Sequence, residues 1–174
     1  LKELALIENP DMILGHVSND MNFDGVHSQP LAMRYLKGSL TVANNGKLVN
    51  SVDLKEKLEK DGAIFQTDTD AEIIAYLIAR KRIESKSVEE AIQKIMPELK
   101  GAYSFVVMTP HKMIAVRDSL GMRPLSIGKV DDCYMISSET STYDIIGGEF
   151  LRDVKPGEIF SIKPDTTESR IGQK

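Results

Sequence analysis

The sequence predicts an α+β fold with layered packing. Two observations carry that prediction. The first half holds three segments with apolar residues at helical spacing, and the second half is rich in short apolar runs separated by turn signals. A length of 174 residues fits one domain with a sizeable core.

Taken in order, Met12 to Val17 is a short apolar run that predicts a strand, and Gly38 to Ala43 predicts another. The second ends at Asn44-Asn45-Gly46, a tight-turn signal, because Asn and Gly both tolerate positive φ. Ser51 to Lys60 opens on a good cap residue and sets Leu54 and Leu58 four apart on one helical face. Asp70 to Arg82 places Ile73, Ile74, Leu77 and Ile78 at helical spacing. A third helix starts from the cap Ser87, with Glu90 three residues on as a capping box, and Pro97 and Gly101 close it. Tyr103 to Met108 and Met113 to Val116 read as strands flanking a Pro110-His111 turn. Leu125 to Lys129, Tyr134 to Ser137 and Glu158 to Ile162 read as further strands, punctuated by Gly147-Gly148 and Pro156-Gly157. Residues 1–163 read as one domain. Residues 164–174 are polar and read as a linker or a truncated end.

Hydrophobic residues make up 41% and charged residues 28%, as in ordinary globular proteins, and the net charge is −4. This balance gives no reason to expect nucleic acid or an anionic membrane as partner. No apolar run approaches the roughly 20 residues that span a bilayer, and Leu1-Lys2-Glu3 opens no signal peptide. One cysteine, Cys133, makes neither an intrachain disulfide nor a multi-cysteine metal site, so a reducing, cytoplasmic setting is expected. Cys133 lies in a strand pattern and reads as a small buried hydrophobe. His16, His27 and His111 are scattered, and their spacing builds no metal site.

An ordered series of motifs reaches further. Gly15-His16-Val17, Gln29-Pro30-Leu31 and Gly38-Ser39-Leu40 come first, then Asn45-Gly46-Lys47-Leu48-Val49-Asn50. Ile64-Phe65-Gln66-Thr67 follows, with Asp70 and Glu72. Gly101 to Ser104, Arg117 to Leu125, Ser137-Ser138-Glu139 and Arg152 to Glu158 complete it. In that order they resemble the class II glutamine amidotransferase domain, of the N-terminal-nucleophile fold. Within that class the series is most similar to the amidophosphoribosyltransferases (glutamine phosphoribosylpyrophosphate amidotransferases).

The resemblance implies a four-layer αββα sandwich, here without its first strands. It also implies a function: release of ammonia from L-glutamine for phosphoribosylamine synthesis in purine biosynthesis. In the family an N-terminal cysteine attacks the side-chain amide, and an Asn side chain and a Gly N–H hold the oxyanion. Those two match Asn45 and Gly46, which on their own read as a turn. Asp70 matches the aspartate that holds the glutamine ammonium, and on its own reads as a helix-start acid. Arg117, Asp118, Arg123, Gln29 and Ser138-Glu139 read as scaffold, and Glu72 as a first-turn acid.

Ser18 stands where the family has an arginine that grips the glutamine carboxylate, and a hydroxyl cannot supply that bidentate fork. Asn44 stands where the family has histidine. These departures keep a second reading open, a non-catalytic relative that binds a ligand or regulates. A third is a class II amidotransferase serving another acceptor. No cofactor is expected in these residues. Magnesium and any iron–sulfur cluster would belong to a phosphoribosyltransferase part of the parent, the expected partner domain. Missing first strands would leave an open sheet edge, so a homo-oligomer is expected.

The nucleophilic cysteine is not among these residues. The 174-residue chain by itself is therefore expected to release no glutamate from glutamine above a no-protein control. Cys133→Ser should change nothing in that assay.

Overall fold

The computed structural model describes residues 11–18, 29–164 and 166–173. Its centre is a six-stranded antiparallel sheet. The strands are β1 (Leu31–Tyr35), β2 (Gly38–Leu48), β3 (Gly101–Thr109), β4 (Lys112–Arg117), β8 (Glu158–Ile162) and β9 (Thr167–Ile171), in that spatial order. A second sheet has the order β6-β5-β7, from β5 (Ser126–Val130), β6 (Cys133–Ser137) and β7 (Glu149–Asp153).

Period-2 alternation gives the large sheet two different faces. Leu40, Val42, Tyr103, Phe105, Val107, Ile114, Val116 and Ile159 point one way and share a core with the helices. Val106, Ala115 and Phe160 point the other way and pack with Leu125, Ile127 and Val154 from the small sheet and its flanks. The result is helices, sheet, sheet. Helix α4 (Ser141–Ile145) lies on the outside of the small sheet and is what the described residues contribute to a fourth layer. Its Tyr143 is fully buried, with its hydroxyl 2.9 Å from Ser126 Oγ. Gly128 in β5 makes room for it, since a Cβ there would overlap the Tyr143 ring.

The helices follow their apolar spacing. Helix α1 (Ser51–Lys60) buries Leu54 and Leu58. Helix α2 (Asp70–Ile83) is buried over most of its first eight residues, because it lies between the sheet and its neighbours α1 and α3. Helix α3 (Val88–Ile95) buries Val88, Ala91, Ile92 and Ile95, and Ser87 Oγ caps it by accepting from Glu90 N at 3.1 Å. The Glu90 carboxylate returns to Lys86 N at 2.8 Å, one residue before the cap. At α1 the cap is Asn50, not Ser51, and the Asn50 side chain bonds Lys100 N and Glu98 O instead of its own helix.

Several expectations are corrected. Residues 12–17 form no strand: Leu14 packs against the inter-sheet core while Ile13 and Val17 are exposed, and the run pairs with no strand among the described residues. Asn44-Asn45-Gly46 is not a turn but the interior of β2, paired with β3 through Leu48↔Gly101. Residues 167–171 are not a linker but β9, paired along its length with β8. Cys133 is exposed, because it begins a strand of the small sheet whose outer part faces solvent. Strands β1, β7 and β9 and helix α4 escaped the sequence reading. All three strands are edges; β7 and β9 are mostly exposed and lack a clean alternation, whereas β1 is a short run of five residues whose Leu31, Met33 and Tyr35 do alternate toward the core.

A buried ion pair ties α3 to the sheet. The Glu89 carboxylate accepts from Lys112 Nζ at 2.6 and 2.7 Å and from Ser161 Oγ at 2.9 Å. Burial pushes this carboxyl up, but Lys112, a backbone N–H and Ser161 more than offset it and hold it at about 2. Its folded value lies below the ordinary 4.5. The contribution is therefore present above about pH 4.5 and is lost as pH falls toward 2, by up to about 3 kcal/mol. Lys112→Met should cost about 3–5 kcal/mol in denaturant melts at pH 7, by stranding a buried charge. It should also remove the stability loss between pH 5 and 3, where an unpaired buried Glu89 gains by protonation.

Candidate functional site

Strand β2 is the spine of the site. At Asn45 and Gly46 it pairs with Ser104 and Tyr103 of β3. Gly46 has φ +122, and a Cβ there would overlap the Ala102 carbonyl. Gly101 mirrors it across the ladder, with φ +127 and a Cβ that would overlap the Lys47 carbonyl. Two glycines thus let the backbones approach closely where β2 ends. In the sequence Gly101 stands as a helix stop and as the start of the Gly101–Ser104 motif; its role in the close strand approach shows only in the paired strands.

The residues beside the Asn45-Gly46 peptide are braced. Asn44 N donates to Gln29 Oε1 at 2.6 Å, and Asn44 Nδ2 donates to Gly46 O at 3.3 Å. Asn44 is buried on the helix-facing side, so Asn45 points to the inter-sheet side, half-buried. On that same side Ser104 Oγ donates to Pro124 O at 3.2 Å. The loop it touches is built on Arg117 and Asp118. Arg117 donates to the carbonyls of Gly121, Arg123 and Val154 at 2.7–2.8 Å. Asp118 accepts from Leu120 N and Met122 N. These residues are scaffold, as the sequence implied, and Arg123 takes part through its carbonyl.

Asp70 is the first residue of α2 and is buried. Its Oδ2 accepts from Leu48 N at 2.8 Å, which fixes the helix start to the end of β2. Lys47 Nζ lies 3.6 Å from Oδ1. The structure therefore joins Asp70 to the strand that carries Asn45 and Gly46, across 22 residues of sequence. Glu72 is more than a first-turn acid. It accepts from Gln66 N at 2.9 Å and from Thr67 N and Oγ1, both at 2.7 Å, and so holds the loop that leads into Asp70. The signal was the Gln66-Thr67 to Glu72 spacing, an acid reaching back to the loop before its own helix.

Ser18 is exposed and follows Leu14, which anchors its segment to the inter-sheet core, the side that Asn45 faces. Burial lowers the His16 imidazole below its ordinary value. Among the described residues no three His, Cys, Asp or Glu side chains group as metal ligands. No helix among them is long and apolar enough to cross a membrane. His27 lies outside the described residues.

The strand that carries Asn45 and Gly46 thus has the buried Asp70 docked on its end, through Leu48 N. Residues 21–144 match the family described as the glutamine amidotransferase domain. The chain belongs to that family.

It is similar to amidophosphoribosyltransferases. It is 44% identical over 142 residues to that of Bacillus subtilis, covering 81% of this chain and 29% of the relative. Against that of Archaeoglobus fulgidus the values are 38% over 142 residues, 82% and 31%. The solved B. subtilis glutamine phosphoribosylpyrophosphate amidotransferase, complexed with ADP and GMP, superposes with TM-score 0.84 at 41% identity. That match covers 91% of this chain and 34% of the B. subtilis one. The chain thus spans about a third of the length of these relatives. The fold is that of the N-terminal-nucleophile amidotransferase domains, as the motif series implied.

Gly46 provides a direct test of the spine. Gly62 also has positive φ, but nothing lies within 4 Å of a Cβ there. Gly62→Ala should therefore cost only the strain, about 1–2 kcal/mol in a denaturant melt. Gly46→Ala adds the overlap with Ala102 and should cost at least about 3 kcal/mol.

Proposed function

We propose that this chain is the glutamine-handling part of an amidophosphoribosyltransferase and that it helps release ammonia for phosphoribosylamine synthesis, the first purine-pathway step. The observation that carries the reading is Asp70 docked on the end of the strand that bears Asn45 and Gly46. In this reading a cysteine thiolate adds to the glutamine side-chain amide carbon. Ammonia leaves, a thioester forms, and water releases glutamate. The Asn45 amide N–H and the Gly46 backbone N–H donate to the oxyanion of the tetrahedral intermediate. The Asp70 carboxylate holds the α-ammonium. The nucleophile is not assigned to Cys133, which lies at the exposed start of β6. The ammonia acceptor belongs to the phosphoribosyltransferase part that this reading implies.

Rigidity on both sides of the Asn45-Gly46 peptide supports the oxyanion role. Gln29, Asn44 and the glycine pair fix the backbone before any substrate arrives, which is what a preorganised donor requires. Ser18 favours one competing reading, a ligand-binding relative without turnover, because a serine cannot make the two-point contact of an arginine with a carboxylate.

The test uses the natural gene product and glutamine hydrolysis. Asn45→Ala should lower kcat by about 10²–10³ with little change in glutamine affinity, as loss of one oxyanion donor does. Asp70→Asn should weaken glutamine binding first, because it removes a charge paired with the ground state. Ser18→Arg should tighten glutamine if the pocket still takes its carboxylate, and should have no effect or harm if the pocket serves another ligand. Wild-type turnover in Asn45→Ala would overturn the catalytic reading.

A further inference from the structure

The two oxygens of Asp70 differ in their partners. The side chain is 3% exposed, and Oδ2 is held by Leu48 N at 2.8 Å. Oδ1 is buried and accepts no hydrogen bond among the described residues. A buried carboxylate oxygen without a donor is costly, because desolvation is not offset. Lys47 gives only part of the remedy. Its ammonium stands 3.6 Å from Oδ1, within ion-pair range but too long for a good hydrogen bond. Its side chain is 70% exposed, so the charge reaches inward from solvent on a flexible four-carbon stem.

We propose that Lys47 is an internal competitor for the ammonium group of the amino acid that Asp70 binds, and that the ligand displaces it from Oδ1. The proposal rests on the reading of Asp70 as the ammonium clamp and names what that clamp holds when no ligand is bound. Leu48 N pins one carboxylate oxygen, so the other keeps a fixed direction toward an incoming cation. One carboxylate charge cannot serve two ammonium groups at full strength, and two cations at one oxygen repel. Lys47 keeps the buried charge compensated in the free protein. It yields readily, because the lysine end of the pair is 70% exposed and makes no good hydrogen bond, and a contact held from solvent in this way is worth only about 0.2–1 kcal/mol. A ligand with an ammonium at hydrogen-bond distance from Oδ1 outbids it, and a ligand without one does not. Lys47 thereby sets the affinity for α-amino acids without touching the amide end of the substrate.

The experiment measures binding to the natural gene product by titration calorimetry with two ligands, L-glutamine and 4-carbamoylbutanoate, which is glutamine without its α-amino group. Lys47→Met should tighten L-glutamine about two- to fivefold, the factor equivalent to an exposed pair. It should leave 4-carbamoylbutanoate within experimental error. Lys47→Arg keeps a cation and should give no tightening. Unchanged or weakened glutamine affinity in Lys47→Met, or equal tightening of both ligands, would overturn the proposal. Asp70→Asn separates the two levels. If it weakens glutamine while Lys47→Met does not tighten it, only the competitor role falls. If it leaves glutamine affinity unchanged, the clamp reading and the competitor fall together.

Discussion

Strand β2 continues through Asn44-Asn45-Gly46 because Gly46 adopts φ +122 and leaves space for the Ala102 carbonyl, while Gly101 does the same for the Lys47 carbonyl. An L side chain at either place would push the two strands apart. Everything around the site depends on that close ladder. It carries β2 far enough for Leu48 to pair with Gly101 and to offer its N–H to Asp70. It keeps the strand's alternation in step, so that Asn44 is buried toward the helices and Asn45 faces the second sheet. A turn at Asn-Gly would have ended the strand before either contact could form.

Buried carboxylates fix the layers around this spine. Glu72 holds the loop before α2, Glu89 joins α3 to β4 and β8, and Glu158 joins the two sheets. At Glu158 the guanidinium of Arg152 donates to both oxygens at 2.8 Å, Ser169 on β9 donates to one of them, and Lys155 N to the other. Burial opposes the charge on Glu158, and these donors more than offset it, holding the carboxyl below its ordinary value. Each such group is costly alone and favourable only when its donors are all in place. The network therefore specifies one arrangement of helices and sheets rather than adding a large net stability. The site gains from that specificity, because Asn45 and Asp70 sit on elements whose relative position these contacts define.

Asp70 stands apart from those three. Its hydrogen bonding is complete on one oxygen and not on the other. Among the described residues the other buried carboxylates have a donor on each oxygen, so Asp70 is the one with most to gain from a further cation.

The sequence by itself determined the α+β class, the three long helices, most strands of the core and, through the order of its motifs, the family. Helical spacing of Leu54 and Leu58, the cap at Ser87 and the apolar runs of β3, β4 and β8 are local signals, strong because burial on one face repeats at the element's own period. Asn45, Gly46 and Asp70 were also legible as candidates, by resemblance. Only the tertiary structure decided that Asn-Gly is strand interior, that residues 167–171 form an edge strand, that Cys133 is exposed, that Glu72 holds the loop before α2 and that Lys47 lies 3.6 Å from Asp70. The reason is common to all of them. Each depends on a partner distant in sequence: β3 for Gly46, β8 for the polar β9, the loop for Glu72, α2 for Lys47. Local composition is blind to which backbone groups and charges the fold will bring within 3 or 4 Å.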